Sequence, residues 1–271
     1  MSWLQKLFGG QGSGREGTAG ELPSEPSAVP EPARAAEPLA MPDAEGGRPA
    51  ADDPRIGEGR ARVTAYWEAL GAVDSELLTY PVDPALQGAP AWPDTRQAYR
   101  VVRTDHGLIL ASDGLSDPFR DGAKTDTSGF GLELYLERAG GAELRGEAIR
   151  QSPEFAIIEL AAQNVAGHGA VAGLLDRVGV LSMALPLGDR GPQGWVDAEG
   201  QLGVLLGIVA EDRPARIELP FGPVHMVAVT PLRPAELVAA ATSGAARREL
   251  AEALGKSQSG HRFDPARESL R

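Results

Sequence analysis

Apolar residues recur at helical spacing along Arg60–Leu70, where Val63, Tyr66, Trp67 and Leu70 share a face and Gly71 follows as a stop. The period then changes. Gln97–Thr104 is β-prone, His106-Gly107 marks a turn, and Leu108–Ala111 reads as a second strand, so the stretch predicts a hairpin. Phe130–Glu137 alternates, with Phe130, Leu132, Leu134 and Leu136 on one side, which predicts a half-buried strand. Ser152-Pro153-Glu154 is a cap followed by proline at the first helical position. It predicts a helix to about Val165, with a short second one over Val171–Arg177. Val180–Leu185 and Gly203–Val209 read as strands. Ala215–Leu219 and Val224–Thr230 pair around Pro220-Phe221-Gly222-Pro223, and helices follow at Pro234 and over Ala245–Leu254, the latter stopped by Gly255. The tail from Lys256 is polar and predicted to be loose. Without regular βαβ alternation, the class is α+β: a mixed, mostly antiparallel sheet with packed helices over residues 56–255.

Ahead of this domain the pattern disappears. Residues 9–55 have no aromatic side chain, recurrent prolines from Pro23 to Pro54, and more acidic than basic residues. Such a stretch lacks the apolar surface to offset ordering entropy and reads as a disordered acidic linker. In residues 1–8, Trp3, Leu4, Leu7 and Phe8 would share one face of a short amphipathic helix, a docking or membrane-touching element, or form a frayed end. The last segment, 256–271, is the polar tail.

Charge narrows the partners. The 271 residues carry a formal net charge of −12 and no cysteine. Disulfides and thiolate chemistry are excluded, and a general nucleic-acid binder would need a basic face. Val180–Leu187 and Leu202–Ala210 are too short to span a bilayer, so stable membrane insertion is not expected. With no secretory signal pattern in Met1–Phe8, the expectation is a soluble cytoplasmic protein. Lysine occurs only at Lys6, Lys124 and Lys256 against many arginines, which suggests a GC-rich, bacterial coding sequence.

Catalytic motifs are sparse. His106, His168, His225 and His261 have no metal-ligand spacing, and no cofactor or metal is expected. Gly167-His168-Gly169-Ala170-Val171-Ala172-Gly173 spells a Gly-x-Gly-x-x-x-Gly that would suit a nucleotide-dependent enzyme if Phe155–Leu160 were a strand. A helix–Gly–helix corner is the alternative. The loop Ser112–Gly129 gathers Asp113, Asp117, Asp121 and Asp126 around Phe119. Its spacing does not match a Ca²⁺ loop. It reads either as a solvated, turn-rich loop or as a binding edge with an aromatic among carboxylates.

This loop and its flanks resemble the Suppressor of fused (SUFU) domain family. The resemblance is carried by Ser112-Asp113-Gly114-Leu115-Ser116-Asp117-Pro118-Phe119, then Ser128-Gly129-Phe130-Gly131-Leu132-Glu133-Leu134, then Pro220-Phe221-Gly222-Pro223-Val224. It runs from about Ile56 to Leu254 and implies the N-terminal-lobe fold of that family. It also implies a non-enzymatic protein- or peptide-binding module that recognises a short segment as an added strand. Bacterial members resemble immunity proteins of polymorphic toxin systems, so a basic toxin is one expected partner. The resemblance places the family's peptide-contacting aromatic on Phe119 and its loop aspartate near Asp126; with Asp113 and Asp117 of the acidic loop, these are the expected partner-binding residues. The animal protein has a second lobe and holds its peptide between the two, so binding at Phe119 and Asp126 would need a dimer or the Pro-rich arm to supply that second wall. A scaffold or adaptor tethered through its N-terminal arm is the other non-enzymatic reading.

Overall fold

The computed structural model describes residues 53–94, 96–119 and 127–271, all within one unit, Gly46–Arg271. The expected helix over 1–8, nearly all of the linker, and Asp126 lie outside the described residues.

In chain order the elements are α1 (Pro54–Glu68), β1 (Ala72–Val73), β2 (Leu78–Thr79), β3 (Ala98–Thr104), β4 (Gly107–Asp113) and β5 (Leu132–Ala139). Then come α2 (Gly146–Arg150), α3 (Pro153–His168), α4 (Val171–Val178), β6 (Leu181–Pro186), β7 (Gln201–Leu206), β8 (Arg216–Leu219), β9 (Gly222–Leu232), α5 (Pro234–Thr242) and α6 (Gly244–Gly255). Helix starts follow local chemistry. Asp53 caps α1 by accepting from the Arg55 N–H, with Pro54 in the first turn, so α1 begins earlier than the apolar spacing indicates. Ser152 caps α3 through the Phe155 N–H at 3.2 Å.

The sheet runs in the order β1-β3-β4-β5-β9-β7-β6, with β2 also on β3 and β8 also on β9. Among the strand pairings of the described residues, β5–β9 alone is parallel. The other pairings are antiparallel, so the mixed, mostly antiparallel α+β class holds. The β3–β4 hairpin keeps register from Ala98↔Asp113 to Thr104↔Gly107.

Both faces of the sheet are covered. On one, α3 packs Ile157, Ala161 and Val165 over Leu110, Leu134 and Val204. On the other, α1 packs Val63, Tyr66 and Trp67 over Val102, Ile109 and Tyr135. There too, α5 and α6 pack Ala240, Leu250 and Leu254 over Leu205 and Leu232. This sandwich corrects the half-buried reading of Phe130–Glu137. β5 is central, and Glu133, Tyr135 and Glu137 are as buried as the leucines between them.

The structure also decides between the two readings of the glycine segment, and it overturns the loose-tail expectation. Phe155–Leu160 lies within α3, and Gly169 in the left-handed conformation ends that helix before α4. The glycine segment is therefore a helix–Gly–helix corner, and the strand a nucleotide-binding turn requires is absent there. The tail is not loose. Where β9 turns away from β5 after Tyr135↔Ala228, Phe263 takes its place, donating to Glu137 O at 2.7 Å and accepting from Ala139 N at 3.0 Å. Phe263 is buried against Trp195, with ring centroids 4.9 Å apart. An unpaired backbone edge in the middle of a sheet would leave polar groups without partners, and the tail supplies them.

Candidate functional site

β4 parts from β5 at Ser112, and the gap is filled by one carboxylate. Ser112 Oγ accepts from the Leu134 N–H at 2.9 Å and donates to Glu133. The chain then curls so that Gly114 N (3.1 Å), Ser116 N (2.9 Å) and Ser116 Oγ (2.6 Å) also donate to Glu133. Burial, and secondarily the neighbouring Asp113 charge, push the Glu133 carboxyl up to about 7.

The two aspartates of the turn face arginines. Asp113 meets Arg96 and Arg100, each at 2.8 Å. Asp117 meets Arg96 and Arg60, each at 3.0 Å, and Arg60 continues to Asp94 at 3.1 Å. Charges alternate from the Glu133 pocket out to α1. The solvated-loop reading is thus corrected over Ser112–Asp117, which is buried throughout.

The second motif docks on the first. Phe130 N donates to Leu115 O at 2.8 Å. Gly129 has φ 49°, and a Cβ there would lie 2.4 Å from Leu115 O and 2.5 Å from Asp117 O, so only glycine fits. The two stretches that carry the family resemblance are therefore one physical unit, with Glu133 as the acceptor at its centre.

Of the expected site residues, the structure brings Asp113, Asp117 and Phe119 together. Asp113 and Asp117 point inward. Phe119 is half-buried and packs edge-on against Phe130, with ring centroids 5.3 Å apart. Phe130 in turn borders a groove of about 350 Å³ between Thr127–Gly131 on one side and Phe221–Pro223 on the other, with Ala172, Asp176 and His225 at its side. Ser128 Oγ donates to Gly222 O at 2.8 Å and ties the two walls. His225 Nε2 lies 3.1 Å from Asp176 Oδ1.

A second buried carboxylate closes the far half of β5. Glu137 meets Arg213 at 2.7 Å, Arg262 at 2.5 Å and His261 Nε2 at 3.0 Å. Burial opposes its ionisation, but the hydrogen bonds from His261 and Arg262 and the Arg213 charge outweigh it, holding the carboxyl down at about 2. Sequence reasoning missed Glu133 with its serines and Glu137 with Arg213 and Arg262. The available signal was two acids on the polar positions of one strand.

Among the described residues, no helix is long and apolar enough to cross a membrane.

No family model matches the sequence, and no curated protein matches it. Solved structures do, among them the following two. The chain is similar to Suppressor of fused. A chain of the Sufu–Fu complex crystal structure aligns over 72% of this chain and 75% of its own length, at 16% identity and a TM-score of 0.37. Drosophila Suppressor of Fused aligns over 73% of this chain at 15% identity and a TM-score of 0.34. This chain spans 42% of that protein's length.

Proposed function

We propose that the protein is a non-catalytic, SUFU-type module that binds a protein or peptide partner. The observation that carries this reading is the groove beside the Phe119–Phe130 pair. Gly129, Gly131, Ala172 and Gly222 along it carry little side chain, so an extended main chain can approach its walls closely. Phe130 lines it, and Phe119, packed on Phe130, extends the aromatic edge beyond it. Aromatic anchors of this kind dominate protein recognition.

The four expected residues then divide their work. Asp113 and Asp117 hold the turn from within, while Phe119 and Asp126 meet the partner. Glu133 and Glu137, the buried acids with the largest shifts, hold the turn and the tail in place, which supports a binding role over a catalytic one.

The net charge of −12 favours a basic partner. A cytoplasmic immunity protein that masks a basic toxin is the role that combines this charge with the family resemblance. The test is quantitative affinity capture with the full chain and with Phe119→Ala and Asp126→Ala. The reading expects a basic protein held at least tenfold less well by the variants. Undiminished capture by both overturns the site. Failure of the chain to relieve growth arrest when co-expressed with the captured protein overturns the immunity role.

A further inference from the structure

β9 is paired unevenly. On its side away from β5, β8 covers Gly222–His225 and β7 covers Val229–Leu232. Among the described residues, no strand runs along Met226–Ala228 between them. The chain instead leaves β7 through Gly207, Ile208 and Val209 and returns at Ala215, whose carbonyl accepts from the Met226 N–H at 2.8 Å. This detour leaves an opening of about 190 Å³.

The walls of the opening are apolar: Leu175, Ile208, Val209, Ala215 and Val227. Val209 is 63% exposed, which marks one side of the mouth. The far wall is set by backbone fit. Gly207 has φ 102°, and a Cβ there would lie 2.4 Å from Gly179 O, so the loop after β7 lies directly against the end of α4. An apolar cavity of about 150 Å³ takes up benzene, so this opening has room for a leucine or phenylalanine side chain.

The opening joins the groove. Val227 belongs to the core layer of α3 and α4, while Met226 and Ala228 belong to that of α1, so by alternation His225 also faces α4. There it stands 3.1 Å from Asp176 and borders both spaces. α4 lines both as well, through Ala172 and Asp176 on the groove and Leu175 on the opening.

We propose that the partner's extended segment continues from the groove past His225 and seats one large apolar side chain in this opening. The groove, walled largely by small residues, meets main chain and selects little sequence. The opening supplies the side-chain preference. A charged side chain there would be stripped of water among Leu175, Ile208 and Val227, so the seated residue is apolar. The inference rests on the reading of the groove as the binding surface.

A phage-displayed library of random dodecapeptides, selected on the full chain, is the test, with enriched peptides then titrated by fluorescence polarisation. They should share one leucine, isoleucine, methionine or phenylalanine whose replacement by alanine weakens binding at least tenfold. Ala215→Trp, at an exposed position on the mouth, should weaken the parent peptides at least tenfold and make that replacement nearly neutral. Should this variant not fold, Val209→Asp carries the same expectation. No enriched peptide, undiminished binding by the variant, or a replacement that still costs tenfold in it overturns the inference. Peptides weakened by Phe119→Ala but not by Ala215→Trp leave the groove reading standing and overturn this one. Peptides indifferent to Phe119→Ala overturn both.

Discussion

Glu133 makes the stability of this domain depend on pH in a direction opposite to most carboxylates. In the folded state its carboxyl is pushed from 4.5 up to about 7, while in the unfolded chain it titrates normally. Between these values the folded state holds a proton that the unfolded state has released. Stability contributed by Glu133 is therefore present below pH 4.5 and lost as pH rises toward 7. The full displacement corresponds to about 3 kcal/mol, and the part between about pH 5 and about pH 7.5 to about 2 kcal/mol. Glu133→Gln keeps the shape and an acceptor for Gly114 and Ser116 but does not titrate. Urea unfolding of both proteins, followed by fluorescence of buried Trp67, Trp92 and Trp195, isolates the contribution. The stability of the parent relative to the variant should fall by about 2 kcal/mol across that window. A difference that stays flat refutes the assignment of the buried proton to Glu133.

Glu137 gives the opposite sign. Held down at about 2, it contributes stability present above pH 4.5 and lost as pH falls toward 2, and Glu137→Gln should remove that part of the acid transition in the same urea series. Phe263→Ala opens a cavity under the tail beside Trp195 and should cost about 3–5 kcal/mol in urea unfolding. Gly129→Ala forces a Cβ against Leu115 O at a positive φ and should cost about 1–3 kcal/mol by the same assay. Phe119→Ala removes a half-buried ring at the groove edge and should lower partner capture tenfold while moving the melting temperature little.

Local chemistry made much of the fold readable in advance. The β3–β4 hairpin, the Ser152 cap and the Pro220–Phe221 turn each announce themselves within a few residues, and the elements lie close to where the periodicity puts them. What stayed hidden depends on distant partners. Alternation along Phe130–Glu137 suggested one wet face, because nothing local reveals that α1 will cover it. Glu133 and Glu137 look like solvent-facing acids until Ser112, Ser116, Arg213 and Arg262 arrive from elsewhere in the chain. The tail reads as polar because Phe263 sits among arginine, aspartate and histidine, yet His261 and Arg262 of that stretch complete the Glu137 site. The carboxylates of Ser112–Asp117 suggested a binding loop. In the structure Asp113 and Asp117 pair with Arg60, Arg96 and Arg100, while Phe119 is half-buried against Phe130.

Photo-crosslinking from the full chain, with a benzoylphenylalanine placed at position 119 or at exposed Val238 on α5, reads out whether a partner engages the Phe119–Phe130 groove. If it does, position 119 gives a discrete protein adduct, attenuated by Gly131→Val in the groove wall, and position 238 gives none. Adducts from position 238 alone overturn the proposed binding at this groove.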